Sequence, residues 1–105
     1  MDISELPEPP YYAVIFTSVK NETDNGYQET SDRMVKLASR QPGFLGVESA
    51  RQEIGITVSY WKDLNSIKNW KQNAEHKIAQ LNGKNKWYKS YRIRICRVES
   101  EYGME

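Results

Sequence analysis

One histidine, one cysteine and a dense set of aromatic side chains make up the reactive inventory of this 105-residue chain. His76 is the only side chain whose unperturbed titration falls near neutrality, so it is the candidate catalytic base. At about 100° per residue on a helix, it falls nearly opposite the stripe of Ile67, Trp70, Ala74 and Ile78. It would face a cavity if the helix broke near Gln72 and Asn73. Structural zinc needs four nitrogen or sulfur ligands, more than one histidine and one cysteine supply, so no metal site is expected. No nucleophile-elbow motif precedes His76, and Gly43-Phe44-Leu45-Gly46 is too sparse for a phosphate loop and enters a strand rather than a helix. The aromatic residues are the richer signal. Phe16, Trp61, Trp70, Trp87, Tyr88 and Tyr91 are the expected walls of a pocket for a flat aromatic molecule, because ring faces reward stacking. Trp70 fits packing under a sheet equally well.

These residues need elements to position them. Residues 1–10 carry three acids and three prolines and read as an extended arm. In 11–16 the chain turns apolar on both alternating faces: Tyr12, Val14 and Phe16 on one, Tyr11, Ala13 and Ile15 on the other. Such a strand is buried front and back and is central in its sheet. Asp24 or Asn25 is a candidate cap for a helix over 27–39, where Met34, Val35, Leu37 and Ala38 follow helical spacing, and Gln41-Pro42-Gly43 stops it. Strands are expected over 44–51 and 54–61, joined as a hairpin, with Ile54, Ile56, Val58 and Tyr60 sharing a face. Asp63 is a second cap, and Leu64, Ile67, Trp70, Ala74, Ile78 and Leu81 give an amphipathic helix that Asn82-Gly83 ends. A short turn over 84–88 and a last strand over 91–98 complete the order β-α-β-β-α-β. The fold class is α+β and ferredoxin-like, with a four-stranded antiparallel sheet. The expected organisation is an arm over 1–10, one domain over 11–99 and a tail over 100–105.

Two helices cover one face of such a sheet, yet the first strand is apolar on both. A second copy of the chain, sheet against sheet, is the expected cover; the terminal arms are the alternative. The composition sets outer bounds. Hydrophobic residues at 38% and charged residues at 28% describe a folded chain rather than a disordered one. A net charge of +1 gives no bulk field for nucleic acid or an anionic membrane. The basic residues gathered over 84–97 read as a solvated face, and the third strand lacks the aromatic signature of RNA-binding domains of this fold. No apolar run approaches the roughly 20 residues that span a bilayer. A lone Cys96, read as a small buried apolar side chain, and a start without a basic, apolar leader point to the cytoplasm.

Pro42-Gly43-Phe44-Leu45-Gly46-Val47-Glu48, the strand end Tyr60-Trp61, the helix segment Ile67-Lys68-Asn69-Trp70-Lys71-Gln72-Asn73-Ala74-Glu75-His76 followed by Ala79-Gln80, and finally Trp87-Tyr88 and Tyr91 resemble the antibiotic biosynthesis monooxygenase domain family. The similarity covers about residues 11–99. It implies a dimeric α+β barrel, and a family that holds cofactor-free oxygenases of aromatic or quinol substrates, haem-degrading enzymes and proteins without demonstrated activity. The haem-degrading members use an asparagine on the first strand, a tryptophan on the second helix and a histidine about ten residues later. Trp70 matches the tryptophan, whereas the first strand has no asparagine and Gln80 stands at the histidine position. The resemblance therefore implies a small monooxygenase working on an aromatic substrate without metal or cofactor; in that reading His76 is the candidate base and Trp70 the stacking wall. The alternative is a non-catalytic dimeric module that binds a flat ligand such as haem.

Overall fold

The computed structural model describes the backbone of residues 3–21, 27–85 and 87–104, and the side chains of these except 27, 30 and 78–85. The elements are β1 (Tyr11–Lys20), α1 (Tyr27–Ser39), β2 (Phe44–Arg51), β3 (Gly55–Trp61), α2 (Leu64–Asn85) and β4 (Tyr88–Val98). They form one antiparallel sheet in the order β2-β3-β1-β4. β1 is thus central, as its two apolar faces require, and the β-α-β-β-α-β order is ferredoxin-like. The candidate caps Asp24 and Asn25 lie outside the described residues.

Side chains alternate between faces along a strand, so the register assigns each residue to a side. Tyr12, Val14, Phe16 and Ser18 of β1 share a face with Trp61, Ser59, Thr57 and Gly55 of β3 and with Arg97, Ile95, Ile93 and Tyr91 of β4. This is the helix-facing side, because Ala38 of α1 and Ile67 of α2 close on Trp61 with Tyr12, Val14, Phe44 and Trp70 around them. Two bulges interrupt the alternation. Phe44 pairs with Trp61 but Gly46 with Tyr60, leaving Leu45 as an extra residue. Val19 pairs with Ser90 but Lys20 with Tyr88, leaving Lys89 extra. A bulge flips the parity beyond it. The first turns Val47, Ser49 and Arg51 toward the helices and Glu48 away; the second puts Tyr88 on the same side as Tyr91.

The joint between β2 and α2 is tight. Gly43 sits at φ +86°, where L side chains are strained, and a Cβ there would lie 2.6 Å from Ser66 Cβ. Its carbonyl accepts from the Lys62 amide at 2.7 Å. Asp63 Oδ1 accepts from the Ser66 amide at 2.7 Å, capping α2, and Ser66 holds the Asp63 carboxyl below its ordinary value. The helix then continues through Asn82 and Gly83 to Asn85, past the expected stop. Gly83 keeps helical backbone instead of forming a left-handed cap, and β4 begins at Tyr88, where a turn was expected. The third strand starts at Gly55 rather than at Ile54.

On the face turned from the helices the arm supplies cover, and Glu101 of the tail reaches Tyr11. The Ser4 amide donates to Glu48 Oε2 at 3.1 Å and its hydroxyl to the Val47 carbonyl at 3.3 Å. Ser4 and Leu6 cross Gly46 so closely that a Cβ there would meet them at 3.1–3.2 Å. Tyr11, packed edge-on to Tyr60 at 5.8 Å, and Ala13 are buried beneath this end. The rest of that face is open, with Ile54 53% and Ile56 44% exposed. Cys96, expected buried, lies on this face and is exposed. The register explains it, since Cys96 pairs with Ala13 on the side away from the helices.

Burial, and then the hydrogen bond donated to Glu48 Oε1 at 2.7 Å, raise Tyr60 from 10.0 to about 12. Folding favours the neutral phenol, so this contribution is complete below pH 10.0 and is lost as pH rises toward about 12. Glu48→Gln removes the carboxylate charge. The expected outcome is a lower Tyr60 midpoint in an alkaline titration of tyrosinate absorbance; an unmoved midpoint would contradict the Glu48 contact as a cause.

Candidate functional site

Among the described residues, helices and sheet close on each other at the Trp61 end. Trp61 is fully buried, edge-on to Phe44 at 5.5 Å and stacked on Trp70 at 6.1 Å with the planes 22° apart. Its indole N–H donates to Ser59 Oγ at 2.9 Å, which fixes the ring's rotation. Away from this end the helix-facing residues of β2 and β3 shrink: Ser49 on one, and Ser59, Thr57 and Gly55 on the other. Opposite them α2 presents Ala74. Small side chains on both layers leave a cleft of about 630 Å³ between sheet and helices. That volume is ordinary for a small-molecule site, on the scale of roughly 300–1,000 Å³.

The walls are aromatic and aliphatic. Trp70 and Ile67 line it from α2, Met34 and Val35 from α1, and Val14, Phe16, Ile93 and Ile95 from the sheet. Phe16 anchors a second ring group, stacked with Tyr91 at 5.5 Å and edge-on to Tyr88 at 5.6 Å. The second bulge makes this trio possible, since three residues apart on a regular strand Tyr88 and Tyr91 would point to opposite faces. The cleft thus has a rigid wall at Trp70, backed by Trp61, and a ring-lined wall at Phe16.

Four of the expected pocket residues line the cleft: Phe16, Trp70, Tyr88 and Tyr91. Trp61 supports Trp70 from behind. Trp87 is buried at the far end of β1, where its carbonyl accepts from the Asn21 amide at 2.6 Å. His76 is exposed and is not a lining residue. α2 is unbroken through Gln72 and Asn73, so the helical geometry that sets His76 opposite the Trp70 stripe holds. Among the described residues the lining contains no histidine or cysteine, so haem iron finds neither an imidazole nor a thiolate there; the Gln80 side chain lies outside the described residues. No group of three or more His, Cys, Asp or Glu suited to a metal ion occurs among the described residues. Nor is any described helix long and apolar enough to cross a membrane.

The lining also holds Arg51, Ser49, Thr57 and Ser59, which the sequence did not single out. An alternating Gly-x-Thr-x-Ser-x-Trp pattern over 55–61 was the available signal: small residues on one face of a strand mark space rather than core. Arg51 carried no such signal, because its inward direction depends on the bulge at Leu45.

Comparison with known proteins bears on this architecture. The profile of the antibiotic biosynthesis monooxygenase family matches residues 10–80. The uncharacterized protein YqjZ of Bacillus subtilis (strain 168) is 54% identical over 101 residues, covering 94% of this chain and 89% of that protein. Among solved structures, a protein of unknown function from Nitrosomonas europaea superposes with a TM-score of 0.71 at 8% identity, covering 91% of this chain and 96% of that one. SnoaB, a cofactor-independent oxygenase from Streptomyces nogalater, superposes with a TM-score of 0.65 at 9% identity, covering 91% and 98%.

If small floor residues create the cleft, filling it stabilises the chain. Thr57→Leu is expected to raise the unfolding free energy by about 0.5–2 kcal/mol in urea titrations. A loss of stability would mean that the space above Thr57 is already packed.

Proposed function

The chain belongs to the antibiotic biosynthesis monooxygenase family, and we propose that it is a small oxygenase acting on a planar, electron-rich aromatic substrate of quinol or anthrone type. The observation that carries this reading is the 630 Å³ cleft walled by Trp70 on one side and by Phe16, Tyr88 and Tyr91 on the other. A flat ring system between these walls replaces water on apolar surface and gains stacking contacts. Similarity in fold to a cofactor-independent oxygenase supports the same direction.

The chemistry asks little reactive machinery of the protein. In a substrate of anthrone type, proton loss from the activated ring CH₂ gives a carbanion, which passes one electron to dioxygen. The substrate radical and superoxide combine to form a C–O bond, and the peroxide loses water to leave a ketone. One oxygen atom enters the product and the other leaves in water, with all electrons supplied by the substrate. The protein's part is to orient the ring, favour the ionised substrate and keep bulk water out. Glu75 is the one carboxylate among the described lining residues, with Lys71 Nζ 3.8 Å away. His76, on the exposed side of α2, has no part in this scheme.

The working unit in this reading is a homodimer. The arm covers the Tyr11 end of the outer face, but Ile54 and Ile56 remain exposed beside half-buried Ile15 and Val58. A second copy laid against this patch would remove it from water.

Two measurements test these statements. In oxygen uptake with a panel of anthrones and quinols, Trp70→Ala is expected to lower kcat/KM at least about tenfold, the scale of one lost stacking wall. His76→Ala is expected to leave it unchanged. Absence of turnover across the panel, with binding retained, would assign the cleft to non-catalytic ligand carriage; a dead His76→Ala variant would restore that residue as base. For assembly, light scattering should give a dimer mass that Ile56→Glu reduces to monomer. A wild-type monomer at micromolar concentration would refute the dimer.

A further inference from the structure

We propose that the cleft selects aromatic ligands whose oxygen substituents lie along one edge, and that Ser49 and Thr57 hold that edge; this rests on the cleft being an aromatic binding site. The register divides the cleft floor in two. Ser49 of β2 pairs with Thr57 of β3, which pairs with Phe16 of β1 and, beyond it, Ile93 of β4. In the next row Ser59 of β3 stands beside Val14 of β1 and Ile95 of β4. All of these line the cleft. Their three hydroxyls fall on β2 and β3, whereas β1 and β4 bring only aliphatic and aromatic groups to these rows. Tyr88 and Tyr91 add rings packed on Phe16 to the second half.

Ser49 and Thr57 are opposite one another in the ladder, so their side chains stand about 5 Å apart. Among the described residues neither hydroxyl has a hydrogen-bond partner. Ser59 accepts from Trp61 Nε1 at 2.9 Å and keeps its own proton to donate. The charged lining residues are engaged elsewhere or turned away. Lys71 and Glu75 pair on α2, Arg51 is held by Ser18 and a further contact, and Arg92 faces outward with Thr17. A phenol or ring carbonyl set against Ser49 and Thr57 can give or accept a hydrogen bond, since each hydroxyl does both. The same oxygen turned toward β1 and β4 would lose water without gaining a partner. A bare ring edge has the opposite preference. In an anthrone the reacting CH₂ lies across the ring from the carbonyl, so this orientation directs it toward the Phe16 side.

The probes are 2,3-dihydroxynaphthalene, with both hydroxyls on one edge, and 2,6-dihydroxynaphthalene, with the same groups on opposite edges. Binding to the full chain is measured by equilibrium dialysis under nitrogen at about pH 6.5, where both isomers are neutral. Wild type is expected to bind the 2,3 isomer at least about fivefold tighter, the scale of one hydrogen bond gained and one unpaired hydroxyl avoided. Thr57→Val keeps the branched shape and removes the hydroxyl. Combined with Ser49→Ala, it should bring the two isomers within about twofold of each other, because the apolar contacts they share are untouched. Ser49→Ala alone, at an exposed position, should at least halve the preference. It carries the test if the double variant fails to fold by circular dichroism. Equal binding of the isomers by wild type, tighter binding of the 2,6 isomer, or a preference that survives the substitutions overturns the hydroxyl edge and leaves the cleft standing. Binding of neither isomer overturns the aromatic cleft itself, and this inference with it.

Discussion

The parity of two edge strands decides what this cleft contains. In a regular ladder each residue of β2 would follow Phe44 in strict alternation, and Gly46, Glu48 and Ala50 would face the helices. One extra residue, Leu45, reverses this. The carboxylate of Glu48 is turned out to Tyr60 and the arm, while Val47, Ser49 and Arg51 are turned in. At the other edge, Lys89 reverses β4 and brings Tyr88 beside Phe16. Since a slip of one residue exchanges the two faces wholesale, these bulges set the chemistry of the site more firmly than any single side chain does.

Packing divides the molecule into a closed end and an open end. Around Trp61 the large rings interlock with Ala38 and Ile67. Six residues along the same strand, Gly55 offers no side chain at all. Trp61 apart, the bulkier members of β3, namely Ile56, Val58 and Tyr60, point away from the helices. A chain of this size has few large apolar residues to place, and a good share of them are spent on the face opposite the cleft. Small residues toward the helices and large ones away from them form one arrangement: it opens the interior and leaves an apolar outer surface to be covered.

Much of the architecture was legible because it follows from short-range periodicity. Doubled apolar faces made β1 central, helical spacing located α1 within its observed limits, and the Trp70 stripe identified the inward side of α2. The same helical geometry already set His76 away from the stripe. What escaped depends on departures from period. Arg51 and the pairing of Tyr88 with Tyr91 need bulges that composition does not announce, and Gly83 looked like a stop yet kept helical backbone. Trp87 directly precedes Tyr88 yet is buried outside the cleft lining, and Trp61, although it faces the helices, is fully buried and props Trp70 from behind. Cover by the arm was one of the two expectations for this face, but its seat over Gly46 was not legible, being a contact between segments more than forty residues apart.

An interior that is partly vacant also ties persistence to supply. In a domain this small, every apolar contact forgone at the centre reduces a margin that is narrow to begin with. An occupant seated on Trp70 would restore such contacts, and only the folded chain can hold it. At a hundred times its dissociation constant it would add about 2.7 kcal/mol to the folded state by mass action alone. Under the proposed function, chains lacking a ligand would unfold more often and meet proteases sooner, so their abundance would follow the availability of that ligand.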